Sequence, residues 1–257
     1  MSAKIQSPPQ ADPLPGARHG RDPERAIKRG PSRVPPEQVA ATQRDRLYDG
    51  LVHTVAEHGY TDATVTDICR AAGVTRPAFY VHFDGKQDAF LATYRHGTAV
   101  MFRLMEHAFE QQPDWRDAVA AGLKVLLDVL ASVPAFARMA IVEIEAVGPA
   151  GRGERADLLL RFGRFFADAP APLGLPDPAD RHVLVDTLVG GVYSAIYRQV
   201  AAGRAEQLPE LLPVLVHFLV TPFLGPPPDQ ARGPGQDAER TLAPCAPQPS
   251  KITEAIP

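Results

Sequence analysis

Between about residues 35 and 225 the apolar side chains recur at helical spacing, broken by proline and glycine, and nowhere alternate as a half-buried strand requires. That pattern predicts an all-α fold. Leu47, Leu51 and Val55 stack four apart on a first helix over about 35–58, and Gly59 is available as its left-handed C-terminal residue. A long helix over 86–110 follows the motif described below. Another covers 113–132, where Pro113 and Asp114 suit a first turn. Pro134 opens a helix ending near Gly148, and 152–169 is amphipathic. The stretch 169–178 holds four prolines and reads as a loop. Two broadly apolar helices close the pattern, over about 179–202 and 209–224.

Outside that core, residues 1–34 and 226–257 are rich in proline and lack apolar periodicity, which predicts disordered tails. The first is also basic: Arg18, Arg21, Arg25, Lys28, Arg29 and Arg33 stand against Asp22 and Glu24. Such a segment serves either as a solvated tail or as an arm along phosphates or in a minor groove. The whole chain of 257 residues carries a formal charge of −3, so affinity for nucleic acid has to come from local features. No uninterrupted run approaches the roughly 20 apolar residues of a bilayer-spanning helix, and residues 1–10 lack a signal peptide's pattern. The expected location is the cytoplasm, at the nucleoid when bound to DNA, with no membrane partner.

Residues 64–83 carry the most specific chemistry. Thr64-Val65-Thr66-Asp67 resembles a capping box with Asp in place of Glu, and Ile68, Ala71 and Ala72 form a small apolar face behind it. Gly73-Val74-Thr75 makes a tight turn in which glycine takes positive φ and Thr75 caps the next helix, 76–83. On that helix Phe79 and Phe83 share one side, opposite Pro77 and Val81. The aromatic pair anchors it, leaving a face narrow enough for a major groove about 12 Å wide. Arg76 offers a bidentate fork to guanine, while Thr75, Pro77 and Val81 face base edges or a thymine methyl. Tyr80, His82 and Lys86 suit phosphate contacts, and Thr64 and Thr66 add hydroxyls at the start of the preceding helix.

The run Gly73-Val74-Thr75-Arg76-Pro77-Ala78-Phe79-Tyr80-Val81-His82-Phe83-Asp84-Gly85-Lys86-Gln87-Asp88, within 64–94, is similar to the signature of the tetracycline-repressor (TetR) family. Phe79 stands where leucine is commoner, and Val81 where an aromatic is frequent. Farther on, Val189-Gly190-Gly191-Val192-Tyr193, Gly203-Arg204 and Leu208-Pro209-Glu210-Leu211 resemble an actinobacterial-type branch. The resemblance implies a homodimer joined through the last two helices. It also implies a three-helix helix-turn-helix domain over 35–90, and a larger regulatory and dimerisation domain over 91–225 that binds an unknown small-molecule effector. The double-stranded operator would be palindromic, and the regulator most often a repressor, although the same head serves an activator. Candidate pocket residues are Phe102, Met105, Trp115, Phe136, Met139, Phe162, Phe166 and Tyr193.

Other functional classes find little support. Asp84-Gly85-Lys86-Gln87 lacks the upstream glycine and the Ser/Thr of a phosphate-binding loop, and Gly148, Gly151 and Gly153 have the wrong spacing for a dinucleotide fingerprint. Glu143 and Glu145 do not share a helix face, so they make no paired-carboxylate site. His53 and His58 lie five apart, there is no HExxH, and Cys69 and Cys245 form no metal knuckle. No catalytic residue, metal or cofactor is therefore expected. A helical interaction protein that had lost DNA binding would have no need of Arg76, Tyr80, His82 and Lys86.

Overall fold

The computed structural model describes residues 13–22, 35–175 and 177–225, and no strand occurs among them. The fold is all-α, as the periodicity predicts. Three helices come first: α1 (Pro36–Asp62), α2 (Val65–Ala72) and α3 (Arg76–His82). The rest are α4 (Lys86–Glu110), α5 (Trp115–Ser132), α6 (Pro134–Ile141), α7 (Pro149–Phe162), α8 (Pro178–Ala201) and α9 (Leu212–Leu224).

Leu47, Leu51, Val52 and Val55 turn one face of α1 into the core, where they meet Ile68 and Ala72 of α2 and Phe79 of α3. α1 and α2 pack closely because Gly50 has no side chain. A Cβ there would stand 2.7 Å from Ala72 N and 2.9 Å from Ala72 Cβ. The chain then reverses at Gly85 into α4, whose first half covers the three-helix head and whose second half packs along α5. Ser132 and Pro134 bracket a bend of 107° between α5 and α6, and α6 returns beneath α1. Gly97 of α4 lets Phe136 of α6 approach until a Cβ on the glycine would lie 2.3 Å from the ring.

Several boundaries differ from expectation, each for a local reason. Gly59 has the positive φ foreseen but an extended ψ (76°, 160°), so α1 kinks and adds a last turn through Asp62 instead of ending in a left-handed cap. The helix expected to reach Gly148 stops at Ile141 and gives way to a 3-10 segment, Glu143–Val147. The amphipathic segment begins earlier, at Pro149 in the first-turn position where proline is favoured, and after Phe162 tightens into the 3-10 segment Gly163–Phe166. α9 is likewise preceded by a 3-10 segment, Ala205–Leu211, which contains Pro209.

The N-terminal tail is the larger departure. Residues 1–12 and 23–34, like 226–257, lie outside the described residues, but 13–22 form a packed strap across α1. Leu14, Pro15, Gly16 and Gly20 are buried. Gly16 N donates to Asp49 Oδ1 at 2.8 Å, Arg46 Nε donates to Gly20 O at 2.6 Å, and Arg21 Nε donates to Arg70 O at 2.7 Å. His19 stacks on His53 with centroids 5.3 Å apart. Composition hid this strap because one large apolar residue, two prolines and two glycines give no periodicity, yet α1 and α2 supply the polar partners. Deleting residues 1–22 is expected to lower stability by about 2 kcal/mol, the net of these hydrogen bonds and Leu14 burial against ordering entropy. A fall in the urea midpoint at unchanged slope checks this.

Candidate nucleic-acid interface

Local sequence builds the helix-turn-helix from its caps. Thr64 Oγ1 accepts the Asp67 backbone N–H at 3.2 Å and donates to Asp67 Oδ2 at 2.5 Å. That hydroxyl bond, followed by Arg70, holds the Asp67 carboxyl below its ordinary pKa and favours an anion in the first turn. α2 ends at Gly73 in the left-handed region (φ 62°), where glycine avoids the Cβ penalty. Val74 N bonds Cys69 O at 3.0 Å across the turn. Thr75 Oγ1 then caps α3 by accepting Ala78 N at 3.4 Å, and Pro77 sits in the first turn.

α3 is seated by aromatic packing. Phe79 is wholly buried and Phe83 nearly so, their centroids 5.5 Å apart, with Tyr48 of α1 a further 5.9 Å from Phe83. Thr75, Arg76, Pro77, Tyr80 and Val81 are left on the exposed side together with Thr64 and Thr66 of α2. Val81 is 78 % exposed and Tyr80 51 %, unusual for residues of that size unless the face is meant to be covered. Arg76 Nη1 donates to Thr66 Oγ1 at 3.3 Å, so the two helices hold the guanidinium together above the surface. Seven of the nine residues expected to touch DNA are thus exposed on α2, α3 and their N-caps.

His82 and Lys86 are placed otherwise. His82 is half-buried with Nε2 3.4 Å from Gln43 Oε1 of α1, and burial, aided by Arg44, lowers its pKa below the ordinary 6.5. A histidine held neutral in the head binds fewer protons than in the unfolded chain. Its contribution to stability is therefore full above pH 6.5 and declines as pH falls through and below that value. Replacing His82 with Gln is expected to flatten the loss of thermal stability between pH 7 and 5, measured by parallel melting curves.

Lys86 reaches back to the end of α1. Its Nζ donates to Tyr60 O at 2.7 Å and Thr61 O at 3.1 Å and lies 4.5 Å from the centre of the Tyr60 ring. In the free protein it fastens α1 to α4, since a cation beside terminal helix carbonyls satisfies groups that otherwise lack partners. The same turn is held from below. Tyr60 N donates to Glu143 Oε2 at 2.9 Å, and Glu143 pairs with Arg138 at 3.1 Å. Sequence reasoning missed Gln43, Tyr60 and Glu143 in these roles because the partners lie 26 to 83 residues apart. Gly50 also went unseen, since a lone glycine within a helix reads only as a propensity cost.

Beyond the head, α4 to α9 enclose a cavity of about 90 Å³. Of the candidate pocket residues, Met105, Phe136, Phe162, Phe166 and Tyr193 line it. Phe102 lies behind Phe162 with centroids 4.7 Å apart. Trp115 is engaged elsewhere, donating from Nε1 to Phe165 O at 2.9 Å and packing edge-on to Phe223. Met139 is fully buried in the core outside the cavity. Among the described residues no group of three or more His, Cys, Asp or Glu is placed to hold a metal ion.

Residues 47–93 match the sequence model of the family described as bacterial regulatory proteins, tetR family. The HTH-type transcriptional repressor AcnR of Corynebacterium diphtheriae is 26% identical over 178 residues, which cover 66% of this chain and 87% of that protein. The HTH-type transcriptional regulator BetI of Brucella canis is 29% identical over 92 residues, 36% of this chain; the match spans about half of BetI, 46% of its length. Among solved structures, the fatty acid degradation regulator FadR from Bacillus halodurans superposes with a TM-score of 0.62 at 17% identity, covering 74% of this chain and 97% of its own. FadR from Bacillus subtilis, solved in complex with stearoyl-CoA, gives 0.59 at 17% identity, covering 68% and 96%. At these identities the two structures establish a shared fold. The sequence relatives are transcriptional regulators, not enzymes.

Proposed function

We propose that this chain, a DNA-binding transcriptional regulator with the helix-turn-helix of the tetR family, is a ligand-responsive repressor that binds a palindromic operator as a homodimer. The observation that carries the reading is the continuity of α4. Its first residue, Lys86, fastens the end of α1, and its later residues Thr98, Met101, Met105 and Phe109 form a wall of the cavity. Phe136 on α6 lines the same cavity beneath the head. A molecule that spreads this wall displaces the helix on which the head is mounted, and so biases the dimer between states with different head spacing. In this reading residues 35–90 are the operator-binding part and 91–225 the regulatory and dimerising part. The C-terminal sequence pattern and the long match to AcnR support an actinobacterial-type branch.

Dimerisation through α8 and α9 is supported by unmatched apolar surface. Val183 on α8 is 66 % exposed and Val214 on α9 69 %, and Tyr197 on α8 and Phe218 on α9 are also exposed. The stretch Ala205–Leu224 has a mean hydropathy of 1.4, long and apolar enough by length and composition to cross a bilayer, and only 28% of it is buried within the protomer. Glu206 and Glu210 interrupt it. A second copy of the same face covers it, as two-fold symmetry allows. The apolar cavity, and a related fold that accommodates stearoyl-CoA, support an apolar effector. The cytoplasm, at the nucleoid when bound, is the matching location.

The test is transcription in vitro from a promoter carrying the selected operator. Adding the full chain is expected to reduce transcript, and Val214→Glu to abolish the reduction while sedimentation shows monomer. Increased transcript would make the chain an activator.

A further inference from the structure

We infer that the cavity takes one unbranched aliphatic chain of about eight to twelve carbons with an anionic end group, an acylate or an acyl thioester of an anionic carrier, and that the charged end lies at Arg161. The inference rests on the reading of this cavity as the effector site and specifies what enters it. Shape comes first. Thr98 to Phe109 on α4 and Val119 to Leu130 on α5 border the cavity along roughly 16 Å of helix at 1.5 Å per residue. A volume of about 90 Å³ shared among lining residues that far apart suits a narrow ligand. It has room for roughly six to nine groups the size of a water or methylene. Met101 and Met105, unbranched and adaptable, lie along it and lengthen it by changing rotamer.

Chemistry narrows the class further. The two polar residues in the lining already spend their hydroxyls on backbone carbonyls, Thr98 on Tyr94 O at 2.8 Å and Tyr193 on Ile141 O at 3.0 Å. A polar group on the enclosed part of a ligand would lose its water without gaining a partner. The polar end has to stay at the mouth. Most lining residues are buried; of the half-exposed ones, Tyr193 belongs to α8, while Phe109, Leu159, Phe162 and Phe165 cluster at one place, with Phe109 and Phe165 centroids 5.2 Å apart. Two guanidinium groups lie just outside this wall, over Phe102, which backs onto Phe162: Arg161 is 4.3 Å and Arg164 4.8 Å from the centre of the Phe102 ring. Arg164 is paired with Glu106, whereas Arg161 has no ion-pair partner among the described residues. An exposed, unneutralised arginine beside the mouth of an apolar seam suits a chain with an anionic end.

Calorimetric titration of the full chain without DNA tests this with saturated carboxylates of six to sixteen carbons, the matched primary alcohols, and the coenzyme A thioesters. Carboxylate affinity is expected to rise about fourfold per added methylene and to level off at roughly twelve carbons, the length of the seam. Each alcohol should bind at least about tenfold more weakly than its carboxylate, the loss of one charge-assisted contact. Arg161→Gln should close that gap without changing alcohol binding. A thioester that outbinds its free acid identifies the carrier-linked form as the source, and the reverse identifies the free acid. A Cβ at Gly122 would meet nothing nearer than 3.7 Å, so Gly122→Leu starts from an unstrained Cβ and adds its further carbons to the lining of the seam. It should weaken dodecanoate binding more than about tenfold, the loss of several buried methylenes, with the melting temperature retained. Absence of binding, affinity independent of chain length, equal binding of alcohol and acid, or indifference to Gly122→Leu would each overturn the inference. Chain binding as described with no change in operator affinity would leave the site standing and remove its role as the effector site.

Discussion

Phe79→Ala is expected to destabilise the protein by about 3–5 kcal/mol, the range for emptying a buried phenylalanine site, and to remove DNA binding with it. The ring is wholly buried and contacts Phe83, which in turn meets Tyr48 of α1. α3 has only seven residues, too short to persist in water by its own hydrogen bonds, so its orientation depends on what lies behind it. With the anchor gone the exposed ridge no longer has a fixed geometry. Urea unfolding reports the first effect and a mobility shift on the selected operator reports the second. Full operator affinity in a variant destabilised by this amount would show that α3 is positioned by something other than its aromatic face.

Arg76→Ala is expected to act in the opposite manner, leaving stability near wild type while reducing specific affinity. The side chain is exposed, and its one hydrogen bond among the described residues, to Thr66, lies at the surface. Loss of a bidentate contact to guanine removes roughly 1–3 kcal/mol of discrimination per half-site, and both halves of a dimer lose it. Binding curves on operators altered one base pair at a time should show preference relaxed at a single symmetry-related position, with non-specific affinity and its salt dependence changed far less. An equal drop on every duplex would assign Arg76 to phosphate instead.

The contrast between these two residues shows what could be read from the chain. Phe79 and Phe83 on one side and Pro77 and Val81 on the other, with Arg76 and Tyr80 along a flanking edge, follow from a 100° rotation per residue, so the buried and exposed sides of α3 were legible in the sequence. Thr64, Gly73 and Thr75 have local roles, in which cap and turn chemistry involve neighbours within four residues. The partners of His82 and Lys86 within the protein, Gln43, Tyr60 and Thr61, were not legible because they come from a distant part of α1. The strap over residues 13–22 escaped notice for the same reason: its order depends on Asp49, Arg46 and Arg70. In the larger domain, apolar residues at helical spacing announce a core but not which of them border empty space. Phe162 lines the cavity while Phe102, 4.7 Å away, stands behind it.

Selection of bound sequences from random duplex DNA by the purified full chain tests the central claim, that the ridge on α2 and α3 reads an operator as one half of a symmetric pair. The predicted result is a single enriched palindrome whose half-site centres lie one helical turn or more apart, about 34–36 Å at the least, and whose enrichment disappears for Arg76→Ala. Recovery of unenriched sequence, or of a motif unchanged by Arg76→Ala, would contradict it.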